Sequence, residues 1–228
     1  MLRELTTARR MSRLRRYAKL GALLEVGSGA GDFLNAAGRA GWNVCGVEYD
    51  KASAELLQEE LGLDVRQGEL RRGMWPPGLF DVVAMWNVLE HVPNPLETVE
   101  ISAEYVKPGG VILIQVPTIY SATGGQRFGE YWHLLDLPRH LNFFSRDSLT
   151  RICGAAGLKV IHAQTSAIDE VWCHLASTRD YVRSLRGSLH RPVALLGHTL
   201  LTAIEVPWMF VKARQGHGTE IFAVAKKQ

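Results

Sequence analysis

Short apolar runs alternate with stretches of helical spacing through the first two-thirds of the chain. Residues 22–26, 43–48, 64–67, 80–85 and 111–116 read as strands. The fourth is a continuous apolar run, the pattern of a strand buried on both faces at a sheet centre. Segments 31–40, 52–61 and 95–106 read as the helices between them, and the last is stopped by Lys107-Pro108-Gly109-Gly110. Strand and helix in alternation predict an α/β fold, a mostly parallel sheet with helices on both faces.

After Pro117 the rhythm changes. Residues 118–145 are rich in glycine and aromatics without a clear period, and are expected to form a lid. A helix over 146–156 and a strand over 158–164 follow, and "TEIFAVAKK", starting at Thr219, alternates as a terminal strand over 219–228. Between them lies an insert, 168–218, expected to be helical. Within it "VALLGHTLLTAIEVPWMFV", 193–211, is long enough to cross a bilayer, yet Gly197, His198, Glu205 and Pro207 interrupt it. Three readings stay open for it: a helical pair capping the site or packing on a partner, a helix lying in a membrane interface beside Trp208, and a true span.

Length and composition narrow this further. At 228 residues with 46% hydrophobic and 21% charged positions, the chain is sized for one substantial folded domain. The division expected is a basic N-terminal arm over 1–20, a core over 21–165 containing the lid, the insert and the terminal strand. The arm carries Arg3, Arg9, Arg10, Arg13, Arg15, Arg16 and Lys19 against Glu4, which suits either a solvated helix face or contact with phosphate, nucleic acid or an anionic membrane. Cys45, Cys153 and Cys173 are odd in number and widely spaced, so neither a disulfide framework nor a metal site is expected. A reducing, cytoplasmic location fits, with peripheral membrane contact as the variant, and the N-terminus has no apolar stretch of the signal-peptide kind.

The chemistry begins at "LLEVGSGAGDFL", residues 23–34. A dinucleotide loop wants GxGxxG, whose pyrophosphate sits on the positive helix terminus. Here Gly27, Gly29 and Gly31 make GxGxG, Asp32 opens the helix, and Glu25 precedes the loop. Acids in those places oppose a phosphate and suit a ligand end bearing an ammonium group. Glu48, 17 residues past Gly31, is placed to accept both hydroxyls of a ribose. "QGEL" at 67–70 offers Glu69 and Leu70 beside an adenine, with Tyr49 following Glu48.

In order, "LLEVGSGAGDFL", "VCGVEYD", "QGEL", "FDVVAMWNVLEHV" and "VKPGGVILIQVP" resemble the class I S-adenosylmethionine-dependent methyltransferases, and within them the small-molecule group that includes ubiquinone-biosynthesis O-methyltransferases. Glu25 and Ser28 stand where that motif usually has Asp and Cys. The resemblance implies a Rossmann-like seven-stranded sheet whose last strand is antiparallel between the fifth and sixth. It implies S-adenosyl-L-methionine as cofactor, with Gly27, Ser28, Gly29, Gly31 and Glu25 at its methionine part, Glu48 at the ribose, and Trp86, Asn87 and His91 near the sulfonium. No metal is implied.

The acceptor wall is expected in "GEYWHLLDLPRHLNFFS", 129–145, a type of segment that lines the acceptor side in part of this family. Tyr131, Trp132 and Arg139 are candidate substrate contacts. His140, then His133, is the candidate base, since imidazole titrates near neutral pH. The expected reaction is methyl transfer to an oxygen of a phenolic, quinone-precursor or lipid-like acceptor, with nitrogen or carbon of a sugar or other metabolite as the alternative. A non-catalytic binding module stays open as well. A nicotinamide oxidoreductase is disfavoured by the glycine spacing. Nucleic acid is disfavoured as acceptor, because "WNVLEH" replaces the NPPY-type tetrapeptide that base-methylating enzymes carry.

Overall fold

The computed structural model describes residues 2–118, 128–166, 170–185 and 190–228. At its centre are β1 (Ala22–Val26), β2 (Asn43–Glu48), β3 (Val65–Gln67), β4 (Phe80–Trp86), β5 (Val106–Pro117), β6 (Leu158–Ser166) and β7 (Glu220–Lys227). They form one seven-stranded sheet in the order β3-β2-β1-β4-β5-β7-β6. The strands up to β5 pair in parallel, and β7 runs antiparallel between β5 and β6. The strand order reverses between β1 and β4, which opens a crevice at the carboxyl edge of the sheet, where ligands of open α/β folds bind.

Alternation along the strands sends side chains to two cores. Leu23, Val82, Ala84, Leu113 and Val224 face α1 (Leu2–Tyr17) and α2 (Asp32–Arg39), packing on Met11, Leu14 and Phe33. Leu24, Val83, Met85, Ile112 and Ile114 face the other side, under Val99 and Tyr105 of α4 (Pro95–Tyr105) and Leu149 and Cys153 of α5 (Arg146–Ala155). α3 (Lys51–Glu59) covers the β2–β3 end through Ala54 and Leu57. Helix starts are marked by capping side chains: Asp50 accepts from the Ser53 N–H, Asn94 from that of Glu97 just after Pro95, and Ser145 and Ser148 cap each other reciprocally.

Two elements differ from the expected outline. The basic segment is no free arm: it is α1, and Met11 and Leu14, three positions apart, fix it to the sheet. Arg13 is buried with it, donating to Gln115 Oε1 (2.6 Å) and Glu220 Oε1 (3.0 Å), while Arg9 donates to Glu220 Oε2 (2.9 Å). β5 starts five residues early, at Val106, because Val106 pairs with Phe80 at the start of β4 ahead of a register shift; the Lys227 ammonium donates to the Ala103 and Val106 carbonyls there. Of the lid, 119–127 fall outside the described residues, and the rest contains two 3-10 turns, Gly129–Tyr131 and His133–Leu135. The insert is a helical pair, α6 (Glu170–Ser184) and α7 (His190–Arg214).

Candidate active site

The crevice between β1 and β4 is a cavity of about 1150 Å³. Its floor is the turn from β1 into α2. Gly27 has φ 72°, and a Cβ there would stand 2.7 Å from Val88 Cγ2. Gly31 has φ 75° and turns toward α3, where a Cβ would meet Leu57 Cδ2 at 2.2 Å. So Gly27 and Gly29 border the cavity, whereas Gly31 serves the close approach of α2 and α3. Glu48 closes β2 with only 8% of its surface exposed. Its Oε2 accepts the Gly29 N–H at 2.6 Å and its Oε1 the Asp50 N–H at 2.9 Å. Two backbone donors thus hold the carboxylate in the cavity wall, each leaving its oxygen capacity for a hydroxyl. Tyr49, Gly68, Glu69 and Leu70 continue that wall.

At the opposite end the lining becomes Arg10, Trp86, Asn87 and Val88. Trp86 is packed edge-on against Phe33 (5.2 Å between centroids), and the Arg10 guanidinium lies 5.3 Å from its ring centre. Behind them Glu25 is 1% exposed. Burial raises its pKa well above the carboxylate range, against the attraction of Arg10, and burial likewise lowers the pKa of Arg10. Glu25 Oε2, Arg10 Nε, Ser28 Oγ and Trp86 Nε1 are buried without a hydrogen-bond partner. Such unmet donors and acceptors beside a cavity fit a ligand end that brings both an ammonium and a carboxylate. Asn87 takes a left-handed turn (φ 59°), tolerable for Asn. Its N–H donates to Gln115 O at 2.8 Å and its Oδ1 accepts from Gln115 Nε2 at 2.9 Å. Because Gln115 in turn receives Arg13, α1 braces the residue that ends β4.

His91 also lines the cavity. Its Nδ1–H donates to the Arg139 carbonyl (3.0 Å), and that of His140 to the Leu134 carbonyl (2.8 Å), since carbonyls only accept. Both rings therefore keep Nε2 free of a proton when neutral. The rings are 4.8 Å apart, with His140 buried behind His91 and absent from the cavity wall. Burial lowers the pKa of His140, and the neighbouring His91 charge adds to this. Glu90, pushed up to about 8 by burial, brings its carboxylate within 4.8 Å of both imidazoles. No such cluster was expected, because His140 joins the other two only through the lid's fold. One carboxylate and two imidazoles form a donor set that either relays protons or accepts a divalent cation.

The other lid candidates stand apart from the cavity. Tyr131 and Trp132 pack with Phe128, Cys173 and Tyr181, between the lid and α6. His133 is exposed, with its backbone N–H on Ser177 Oγ (2.8 Å). The Arg139 guanidinium is exposed and ion-paired with Asp136 at 2.7 Å, so only its carbonyl reaches the site, through His91. Arg10 is one of several cavity residues outside the motifs, with Arg71, Arg72, Asn94, Glu97 and Thr98 among the others. The signal available for Arg10 was Met11 and Leu14, whose spacing turns one face of the basic helix inward.

A family model described as a methyltransferase domain matches residues 3–163. The chain belongs to that family. The methyltransferase is 28% identical over 175 residues to the ubiquinone biosynthesis O-methyltransferase of Azoarcus sp. (strain BH72), covering 69% of this chain and 72% of that one. It is 31% identical over 166 residues to the protein of the same name from Nitrosospira multiformis, covering 66% and 69%. With other curated relatives of that name the chain spans about two-fifths of their length. Its fold is that of a SAM-dependent methyltransferase from Archaeoglobus fulgidus, with TM-score 0.66, 18% identity, and coverage of 99% of this chain and 94% of that one. The enzyme is thus a class I methyltransferase and its cofactor is S-adenosyl-L-methionine.

Proposed function

We propose that the enzyme methylates an oxygen of a small acceptor of phenolic, quinone-precursor or lipid-like character. The observation that carries this reading is His91: an imidazole on the cavity wall, its Nδ1–H fixed by a backbone carbonyl and its Nε2 turned over to proton acceptance. Hydroxyl acceptors keep their proton at neutral pH, so a base of this kind matters for oxygen above all. The two relatives, both named as O-methyltransferases, point the same way.

Bound S-adenosylmethionine supplies a methyl carbon made electrophilic by its sulfonium sulfur. Glu48 would accept the ribose hydroxyls, and Glu69 and Leu70 would border the adenine. Arg10 would face the carboxylate of the methionine part, and the Gly27–Gly29 turn, backed by Glu25, would hold its ammonium end. Asn87, braced through Gln115, shapes the wall beside the reacting centre. His91 takes the acceptor's hydroxyl proton on Nε2, and His140 holds the ring's position from behind. Positioning and exclusion of water supply the remainder of the acceleration.

A labelled-methyl assay over phenols, quinone precursors, sugars and lipids tests this, with product identity read by mass spectrometry. The expected product is a methyl ether. His91→Ala should lower kcat by about 100-fold or more, in line with the loss of a positioned base, and leave affinity for S-adenosylhomocysteine as it was. Label found solely on nitrogen or carbon, or an undiminished kcat in the variant, overturns the assignment.

A further inference from the structure

α7 is built inside out. Its protein-facing line is His198, Thr202, Glu205, Met209 and Ala213, at steps of three and four residues; these are buried or half-buried. His198 lies against Phe128 (5.4 Å) and Tyr181 (5.1 Å), and the Ala213 carbonyl accepts from Thr165 Oγ1. The opposite line is Val193, Leu196, Leu200, Ile204, Trp208 and Val211, again at three-and-four spacing, with exposures from 40% to 74%. A surface helix of a water-soluble fold has these polarities reversed. From Val193 to Val211 no charged residue other than Glu205 occurs, and Glu205 is on the inner line. At 1.5 Å per residue this apolar stripe is roughly 28 Å long, too extended for an incidental patch. The helix is long and apolar enough to cross a membrane.

We propose that the outer stripe of α7 seats the methyltransferase in the interface of an anionic bilayer. Charge selects this occupant. Arg191 precedes the stripe, Lys212 and Arg214 close it, and Trp208 stands beside the Lys212 ammonium at 5.7 Å from its ring centre. Cations at both ends with an aromatic at one are the pattern of a helix lying at a lipid surface. A second copy of the chain fits worse: a parallel two-fold pairing sets Lys212 against itself, an antiparallel one sets Lys212 and Arg214 against the start of the partner's stripe, and the stripe has no acid to answer either. Crossing the bilayer is disfavoured by connectivity. α6 and α7 lie between neighbouring strands β6 and β7, so both would have to cross together, and α6 carries Arg179, Asp180 and Arg183. The inference does not depend on which acceptor the site takes.

Flotation of the full chain with phosphatidylglycerol/phosphatidylcholine vesicles tests it, beside phosphatidylcholine alone and beside sedimentation without lipid. The protein should float with the anionic vesicles and much less with the neutral ones. A Leu200→Glu/Ile204→Glu variant should float at least tenfold less while binding S-adenosylhomocysteine as the parent does. Failure of the parent to float, equal flotation of the variant, or a lipid-free dimer that the variant dissolves each overturns the proposal. Should the variant lose cofactor binding, quenching of the parent's fluorescence by brominated phosphatidylcholine in the anionic vesicles decides instead. Quenching larger than in a Trp208→Phe chain supports the seat, and equal quenching removes it. Every readout is binding, so its failure stays separate from any failure of the oxygen-methylation reading.

Discussion

Leu24, in the middle of β1, has no exposed surface, whereas Ile204, in the middle of α7, is 74% exposed. Both lie in apolar stretches that hydropathy alone treats alike. On the sheet, apolar side chains meet each other across two packed layers, and the polar groups that function needs are confined to the carboxyl edge. On α7 the polar side chains are drawn inward toward the lid and the apolar ones are left outside. An apolar run in a chain therefore records a demand for a dry surface, and only the fold decides whether the protein itself supplies it.

That contrast can be broken most forcefully at Leu24. Leu24→Ala leaves a cavity between two close-packed layers, where such truncations cost about 2–5 kcal/mol, and urea unfolding should show it. A loss below about 1 kcal/mol would mean the sheet centre is not the core described. Next in size, Glu48→Ala removes an acceptor for two hydroxyls in a buried setting. Affinity for S-adenosylhomocysteine by calorimetry should fall about 100-fold, as expected for charged hydrogen bonds worth 1.5–3 kcal/mol each. An undiminished affinity would sink the placement of the ribose.

The third test uses pH. Glu90 has its folded pKa raised to about 8 from 4.5, so the folded chain holds a proton there that the unfolded chain releases above about pH 4–5. Its stabilising contribution is complete below that range and is lost as pH rises through 8. Glu90→Gln, which keeps the neutral form, should flatten this alkaline decline and raise stability at pH 9 by about 1–3 kcal/mol, at about 1.4 kcal/mol per tenfold in proton affinity. Thermal melts from pH 5 to pH 9 read it directly. His140, lowered by burial, works at the other end: its contribution is lost as pH falls below about 6.5, where the unfolded imidazole gains its proton first. The smallest effect is expected from Leu196→Ser, on the outer line of α7 at 62% exposure. It should move stability by no more than about 0.5 kcal/mol, as surface substitutions do. A core-sized loss in lipid-free urea unfolding would show that the stripe is already covered.

Much of this was readable from the chain. Apolar runs punctuated by glycine or proline give the strands and the parallel sheet, whereas the antiparallel slot of β7 was implied only by the family resemblance; Glu48 is a strand-end carboxylate whose place follows from the loop before it. The site's other half was less legible. Arg10 reaches the cavity because α1 packs across the sheet, and Glu90, His91 and His140 meet because the lid folds back on the β4–α4 turn through hydrogen bonds from Leu141 and Asn142 to the Glu90 carbonyl. These are contacts between residues tens of positions apart, set by backbone paths that local pattern does not encode. The packing of the lid aromatics was hidden for a related reason. Tyr131 and Trp132 suit a substrate wall by composition, but their partners are Cys173 and Tyr181, on a helix the family pattern does not cover.

One consequence follows from the clasp between Glu220 and the arginines of α1. During synthesis α1 waits for β7, more than 200 residues further along, before its guanidiniums find their carboxylate. Arg13 also steadies Gln115 and, through it, Asn87. A nascent chain halted before residue 220 would carry every glycine of the β1–α2 turn and still lack the carboxylate that holds Arg13 against Gln115, so the site settles only once β7 has been made.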